Sequence, residues 1–287
     1  MVLTRANRSD RIFRLLLLLL SVWASAAVQA AQPVITVIID DMGNHGGWGE
    51  AALRIPGPVT YAFLPHTPHA VRLARAAHAD GKEVMLHLPM QSHEGNRLGP
   101  GSLTLHMTEQ AFQRTLDDNL AAVPHVQGIN NHMGSLLTRH PGAMAWLMQG
   151  IGRHGPLYFV DSRTTLATVG EQVATEYQVP NARRDVFLDN NRDPAAIEHQ
   201  FRQLVRQARR KGYAIGIGHP YPETSQVLTE QLSRLEALGV RLIPASEMIR
   251  HQRSVRTWHA SSSPSPKVAK NSKQSPLSTC CEEPESK

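Results

Sequence analysis

Carboxylate and imidazole side chains recur along this chain at the ends of short apolar runs. Asp40 and Asp41 follow one such run, His87 ends another, and His132 and His219 follow two more. Carboxylates and imidazoles suit zinc or a similar divalent ion, and a site with an open position can lower the pKa of water and polarise a carbonyl group. The pattern therefore indicates a hydrolytic metal site, in which one carboxylate of the aspartate pair is available as a general base.

Apolar runs of strand length alternate with segments of helical period over most of the chain. The predicted strands are residues 34–39, 59–64, 83–88, 126–129, 157–160, 186–188, 213–217 and 240–243. One predicted helix starts at an N-cap, Asp193, and places Ile197 and Phe201 on one face. Apolar strands between amphipathic helices predict a parallel sheet covered on its outer side. With about seven or eight such units, an α/β barrel is favoured over an open sheet.

The carboxyl ends of parallel strands meet at one rim of a barrel, where active sites lie. Polar residues that follow the predicted strands are Asp40, Asp41, His66, His87, Asn131, His132, Asp161, Arg163, Asp189 and His219. Each of them alone could equally cap a helix, hold a turn or sit in the core with its hydrogen bonds satisfied. Their recurrence after strand upon strand predicts that they share one cavity.

Five segments in a fixed order carry a resemblance to a known family. They are residues 38–43 (IIDDMG), 87–90 (HLPM), 128–135 (GINNHMGS), 159–163 (FVDSR) and 217–220 (IGHP). Together they resemble the divergent polysaccharide deacetylases of bacterial envelopes, over about residues 33–250. The resemblance implies a distorted (β/α) barrel of the polysaccharide deacetylase type, related to the nodulation-type (NodB-like) carbohydrate esterases.

The resemblance also implies roles for the residues of the predicted metal site. Asp40 corresponds to the catalytic base, whereas Asp41 and His87 correspond to metal ligands. The related esterases carry a second ligand histidine shortly after the first, and this chain has Gln91 at that position. His132 is inferred to replace it. The implied cofactor is a divalent metal, with Zn²⁺ the favoured ion.

Further roles follow from the same resemblance. His219 corresponds to a histidine that assists the leaving group, and Asp161 to an acidic residue that orients catalytic partners. Arg163 either steadies that network or pairs with an anionic group. Apart from the resemblance, the rim residues Asn131 and His66 are predicted to bind substrate.

The resemblance implies an exported, metal-dependent hydrolase that removes acyl groups, in the first place N-acetyl groups, from an envelope carbohydrate. Its expected partners are envelope polysaccharide or peptidoglycan fragments. Gln91 keeps a second hypothesis open, in which the protein is inactive and binds glycan or regulates cell-wall hydrolases. Hydrolysis of another bond, such as an amide or a phosphoester, on the same metal is a third hypothesis.

The ends of the chain differ in composition from the part between them. Residues 1–30 contain arginines, an apolar run and small residues up to Ala30, which is the pattern of a secretory signal peptide. Its apolar stretch of roughly 14 residues is shorter than the ~20 needed to cross a bilayer, so a retained anchor is the less favoured alternative. We expect cleavage after Ala30, no stable membrane span afterwards, and a periplasmic or secreted protein.

The barrel domain is predicted to occupy residues 31–253. Residues 254–287 are rich in serine, proline and lysine, predict a disordered tail, and contain both cysteines of the chain, Cys280 and Cys281. The formal net charge of +6 comes partly from these two ends. Aromatic and basic residues are not interleaved as in nucleic-acid-binding proteins, so nucleic acid is not an expected partner.

Overall fold

The computed structural model describes residues 32–93 and 95–262. The predicted signal peptide at residues 1–30 lies outside this part of the chain, as do residues 263–287 of the predicted tail. Among the described residues, no helix has the length and apolar character that a membrane span needs.

Nine parallel strands in the described residues form one curled sheet. They are β1 (Val34–Met42), β2 (Thr60–Phe63), β3 (Glu83–Met90), β4 (Val126–Met133), β5 (Tyr158–Asp161), β6 (Asn181–Arg183), β7 (Val186–Phe187), β8 (Tyr213–Gly218) and β9 (Arg241–Leu242). The strand order β6-β5-β4-β3-β2-β1-β8-β7 is that of a barrel opened between β6 and β7, and β9 pairs with β1 beside this path. The predicted distorted (β/α) barrel is confirmed.

The distortion lies in the segment that joins β6 to β7. Arg184 N donates a hydrogen bond to Asp161 O at the end of β5, at 2.9 Å. The next amide, Asp185 N, donates to Ile215 O of β8, also at 2.9 Å. The chain thus leaves one edge of the sheet and joins the other within two residues. β6 and β7 are two halves of one bent strand, so they share one strand position in the barrel.

Helices cover the outer side of the sheet and one end of the barrel. They are α1 (Gly46–Leu53), α2 (Ala70–Ala79), α3 (Glu109–Ala122), α4 (Pro141–Arg153), α5 (Gly170–Glu176), α6 (Pro194–Lys211), α7 (Pro222–Ser233) and α8 (Ala245–Ser262). The predicted N-cap of α6 is present, because Asp193 Oδ1 accepts hydrogen bonds from Ala195 N and Ala196 N. Ile197 and Phe201 are fully buried on its inner face, as its period predicts.

Two apolar clusters hold these layers together. The larger lies between the strands and the outer helices, and the smaller fills the inside of the barrel. In the smaller cluster, Ile38, Met85 and Ile215 from three strands pack with Met248 and Ile249 of α8. Helix α8 therefore closes the barrel from the amino ends of the strands.

The end of α8 differs from the predicted domain boundary. The prediction placed the start of the tail at Ser254, but the helix continues to Ser262. No proline or glycine interrupts the sequence between Ala245 and Pro264, so nothing in the backbone ends the helix at residue 253.

Candidate active site

A cavity of about 420 Å³ lies at the rim formed by the carboxyl ends of the strands. The predicted site residues that line it are Asp40, His87, Asn131, His132, Arg163 and His219. A second cavity, of about 500 Å³, lies beside the amino end of β4 and α8, and no carboxylate lines it. The chemistry predicted from the sequence therefore converges on the rim cavity.

The three predicted metal ligands meet beside this cavity, and His87 and His132 line it. Asp41 Oδ1 lies 2.9 Å from His132 Nδ1 and 3.2 Å from His87 Nε2. The two imidazole nitrogens are 3.1 Å apart. One carboxylate oxygen and two ring nitrogens thus converge as the ligand atoms of a small cation do.

Two observations show that these residues fit a divalent metal. First, Asp41 Oδ1 is buried, and neither imidazole contact gives it a hydrogen bond of proper geometry. Second, His87 Nδ1 lies 2.8 Å from Asn130 Oδ1, and an amide oxygen can only accept, so His87 Nδ1 carries the proton and Nε2 presents its lone pair. A cation between Asp41, His87 and His132 would satisfy all three atoms at once.

The electrostatics of the cluster also favour a cation. Burial raises the pKa of Asp41, but the adjacent imidazoles of His132 and His87 outweigh this effect and hold its pKa well below the usual value. Burial lowers the pKa of His87, but Asp40 and Asp41 outweigh burial and raise it. The carboxylate of Asp41 therefore stays ionised, which is the form that binds a cation.

The backbone explains how two consecutive aspartates reach one cavity. Neighbouring side chains of an extended strand point to opposite faces. At Asp41, however, φ is 55°, and the pairing of β1 with β2 shifts register between Ile39 and Met42. Gly43 follows with φ of 114°, a conformation that glycine adopts without strain. The twist brings the side chain of Asp41 round to the ligand cluster, beside the buried carboxylate of Asp40.

Asp40 is buried next to the ligand cluster without belonging to it. Its Oδ1 accepts a hydrogen bond from Asn130 Nδ2 at 2.7 Å, and its Oδ2 lies 3.7 Å from His87 Nδ1. Burial raises the pKa of Asp40, although His87 and His219 act in the opposite direction. Asn130 therefore connects the predicted base, Asp40, to the predicted ligand His87.

His219 faces the cluster from the end of β8. Its Nε2 lies 3.9 Å from Asp41 Oδ2, and its Nδ1 is 2.9 Å from Asp189 Oδ1. Asp189 Oδ2 also accepts hydrogen bonds from His219 N and Thr224 Oγ1, at 2.6 and 2.8 Å. Burial lowers the pKa of His219, but Asp189 outweighs it and raises the pKa to about 9. An imidazolium with Nε2 towards the cavity is the form that can donate a proton.

Comparison with known proteins agrees with this arrangement. Residues 37–249 match the model of a family described as divergent polysaccharide deacetylase. The chain belongs to this family.

Two bacterial relatives match most of the chain. One is the uncharacterized protein YibQ of Escherichia coli (strain K12), which is 36% identical over 234 residues, 80% of this chain and 73% of that protein. An uncharacterized protein of Haemophilus influenzae is 31% identical over 225 residues, 78% of this chain and 80% of that protein. The crystal structure of the uncharacterized Agrobacterium tumefaciens protein ATU2773 has a TM-score of 0.73 at 23% identity, over 77% of this chain and 90% of that one. The similarity to ATU2773 shows that the two chains share a fold.

Gln91 marks where this chain departs from the pattern of the related esterases. Its Oε1 accepts a hydrogen bond from Leu105 N at 2.8 Å, so the side chain supports the loop after β3. In the structure, His132 from the end of β4 stands beside His87 instead, as β3 and β4 are neighbouring strands.

Asp161 does not contact the residues that it was predicted to orient. Its Oδ1 accepts from Arg163 N at 2.8 Å and its Oδ2 from Thr168 Oγ1 at 2.7 Å. Asp161 thus orders the loop that carries Arg163. The carboxylate that contacts His219 belongs to Asp189, because the two residues end neighbouring strands.

The two predicted substrate-binding residues lie in different places. Asn131 lines the cavity, but its amide is engaged by Met133 O at 2.7 Å and Ser162 N at 2.8 Å. His66 is exposed, its Nε2 lies 3.1 Å from Asn119 Oδ1, and it is not part of the cavity lining. Asn131 therefore has a structural role at the rim, and His66 lies apart from it.

Two residues of the site were placed at strand ends by the sequence but received no role there, and a third was missed. Asn130 lay within a motif, and Asp189 followed a predicted strand. Arg184 lines the cavity from the bent segment between β6 and β7, where no apolar run marks a strand.

Proposed function

We propose that this chain is an exported, metal-dependent hydrolase that removes acyl groups, in the first place N-acetyl groups, from an envelope carbohydrate. The observation that carries the proposal is the cluster of Asp41, His87 and His132, flanked in one cavity by the buried carboxylate of Asp40 and by His219. Membership of the divergent polysaccharide deacetylase family supports it.

Asp41, His87 and His132 would hold the metal, and Zn²⁺ is the ion that best suits one carboxylate and two imidazoles. When bound, a divalent metal polarises an acyl carbonyl and lowers the pKa of a water molecule. Asp40 accepts the proton of the attacking water. Its Oδ1 is held by Asn130, so Oδ2 is the oxygen that is available for this step.

His219 donates a proton to the leaving nitrogen, so that the C–N bond can break and release the amine. Asp189 holds Nδ1 of this ring, which leaves Nε2 as the atom that faces the cavity. Hydrolysis of an N-acetyl group by these steps yields acetate and a free amino sugar. The pattern of a signal peptide in residues 1–30 supports a location with the envelope polysaccharide.

The test is metal analysis combined with acetate release from chitooligosaccharides and peptidoglycan fragments. We expect about one divalent ion per chain, loss of acetate release after chelation, and recovery with Zn²⁺. The double variant Asp41→Ala, His132→Ala should lose the ion, whereas Asp40→Asn should keep the ion and lose turnover. His199→Ala, on the exposed face of α6, is the control. A wild-type chain without the ion, or a double variant that retains it, would refute the proposal.

A glycan-binding or regulatory role without turnover is the second candidate. Gln91 favours it, because the ligand set departs from that of the related esterases and an altered set can keep binding while it loses turnover. A wild-type chain that holds the metal and binds peptidoglycan fragments, yet releases no acetate from any of them, would identify this role.

A further inference from the structure

Two arginines line the same cavity as the predicted metal ligands. Arg163 follows β5, and Arg184 lies in the bent segment between β6 and β7. Neither forms an ion pair with a carboxylate of residues 32–93 or 95–262. Two unpaired guanidinium groups beside a candidate catalytic centre need a physical explanation, because half-buried charge is costly unless it is compensated.

Arg184 is fixed in one orientation. Its Nε donates to Ser162 O at 2.6 Å and its Nη2 donates to Arg163 O at 2.9 Å, while the guanidinium lies 4.9 Å from the centre of the Phe187 ring. These contacts are to neutral groups, so they position the charge without neutralising it. Among the described residues Nη1 has no hydrogen-bond partner.

Three carboxylates act electrostatically on Arg184 without forming an ion pair with it. They are Asp40, Asp161 and Asp185. Asp40 accepts from Asn130, Asp161 accepts from Arg163 N and Thr168, and Asp185 pairs with Lys211. None of these three carboxylates forms a hydrogen bond with the guanidinium group of Arg184.

The backbone of Arg163 is held in a conformation that a non-glycine residue rarely adopts, with φ of 49°. Asp161 fixes its N–H, and Arg184 fixes its carbonyl oxygen. Strain of this kind persists where the surrounding structure imposes it, and it collects at functional sites. The two contacts hold the backbone of Arg163 at the edge of the cavity.

Ser162 adds an independent observation. Ser162 is one of the residues that line the cavity and is only 5% exposed, and its Oγ is buried without a hydrogen-bond partner. A buried hydroxyl without a partner is rare in a native fold and points to a ligand or a water molecule. Ser162, Arg163 and Arg184 together form what we call the arginine wall, which presents hydrogen-bond donors to the cavity.

We propose that the arginine wall binds a carboxylate on the saccharide whose acyl group reacts, so that the preferred substrate is an acidic glycan. This inference rests on the proposed hydrolase function of the cavity. Planar guanidinium groups recognise carboxylates through paired hydrogen bonds, and the Ser162 hydroxyl supplies a further donor. An N-acetylated sugar with a carboxylate near its acetamido group would reach the wall and the catalytic residues together.

The simplest test compares two sugars that differ in this group. N-acetylmuramic acid carries a carboxylate on a lactyl ether next to its acetamido group, and N-acetylglucosamine lacks it. With the metal-loaded full chain, calorimetry or ligand-observed NMR should give about tenfold or more tighter binding of the acidic sugar. Arg163→Gln should remove this preference, Arg163→Lys should keep part of it, and Arg202→Gln on α6, an exposed arginine, should leave it unchanged.

The outcomes separate this inference from the proposed function. Equal affinity of the wild-type chain for both sugars, or a preference that survives Arg163→Gln, would overturn the arginine wall. If the arginines only balance Asp40, Arg163→Gln would change the binding of both sugars by the same factor, which would also overturn it. The binding test needs no turnover, so absence of acetate release would count against the hydrolase alone.

Discussion

Asp189 controls the orientation of His219 through contacts with both its ring and its backbone. The carboxylate accepts from His219 Nδ1 and N and from Thr224 Oγ1, and its side chain is fully buried. A buried charge of this kind is stable only when it is paired. The imidazolium of His219 supplies that pairing, so the orientation of the ring and its proton at Nε2 depend on Asp189.

We expect Asp189→Asn to keep the fold and the metal but to lower kcat for acetate release by about 10²- to 10⁴-fold. The amide can donate to Nδ1 of His219, which leaves the ring neutral with its single proton on Nε2, and a neutral imidazole is a far weaker acid than an imidazolium. Asp193→Asn is the matched control, because asparagine also caps a helix and the hydrogen bonds of the Asp193 side chain go to Ala195 N and Ala196 N. Loss of bound metal in Asp189→Asn, or an unchanged kcat, would contradict this role.

At this scale the sequence predicted the ligand cluster but not the partner of His219. Asp41, His87 and His132 each end an apolar strand, so a parallel sheet brings them to one rim, although Asp41 also needs its left-handed backbone to face the cluster. The choice between Asp161 and Asp189 depends instead on strand neighbours. Phe187 pairs with Ile217, and two residues further along Asp189 comes opposite His219. The apolar periodicity of the sequence does not show that these two strands are neighbours.

Among the elements, β4 and β5 show how closely the strands are fitted to each other. Gly128 of β4 lies against the ring of Tyr158, and a Cβ atom at Gly128 would approach Tyr158 Cε2 to 2.2 Å. The ring cannot move away freely, because Tyr158 Oη donates to Glu83 Oε1 at 2.7 Å inside the barrel. The absence of a side chain at Gly128 is therefore a packing requirement.

Gly128→Ala should lower the free energy of unfolding by about 1–3 kcal/mol, as overpacking of a core does. Gly152→Ala is the control, since Gly152 lies in α4 and no other atom comes within 4 Å of the added Cβ. That substitution should stabilise the protein by up to about 1 kcal/mol. Urea denaturation measures both, and equal effects of the two substitutions would show that the Tyr158 contact is unimportant.

The sequence predicted most strands but missed β6. Long apolar runs such as residues 34–39 identify strands that are covered on both faces. β6 has only three residues, Asn181–Arg183, and two of them are polar. It exists because the chain passes from β5 to β8 at this point, which is a property of the whole curled sheet and leaves no local apolar pattern.

On the scale of the whole molecule, α8 completes the core. Met248 is fully buried in the cluster that fills the barrel, and Ser246 N at the start of the helix donates to the carboxylate of Glu83. The helix therefore joins the amino ends of β2 and β3 to the last part of the domain, and the barrel depends on it for its inner packing.

We expect Met248→Ala to lower the global free energy of unfolding by about 2–5 kcal/mol, because it leaves a cavity inside the barrel. Arg250→Ala, at an exposed position of the same helix, should change it by no more than about 0.5 kcal/mol. Thermal or urea unfolding followed by circular dichroism tests both variants. If Met248→Ala changes the free energy of unfolding as little as Arg250→Ala does, α8 packs on the barrel without stabilising it.

The filled interior of the barrel determines how a long polymer could meet the site. Side chains of the strands and of α8 occupy the barrel, so no chain can thread through it, and the reacting group must approach across the rim. A glycan that lies across the rim presents its internal sugars as readily as its ends. We therefore expect modified sugars to appear along the whole length of a polymer from the earliest stage of the reaction, rather than to spread inwards from a terminus.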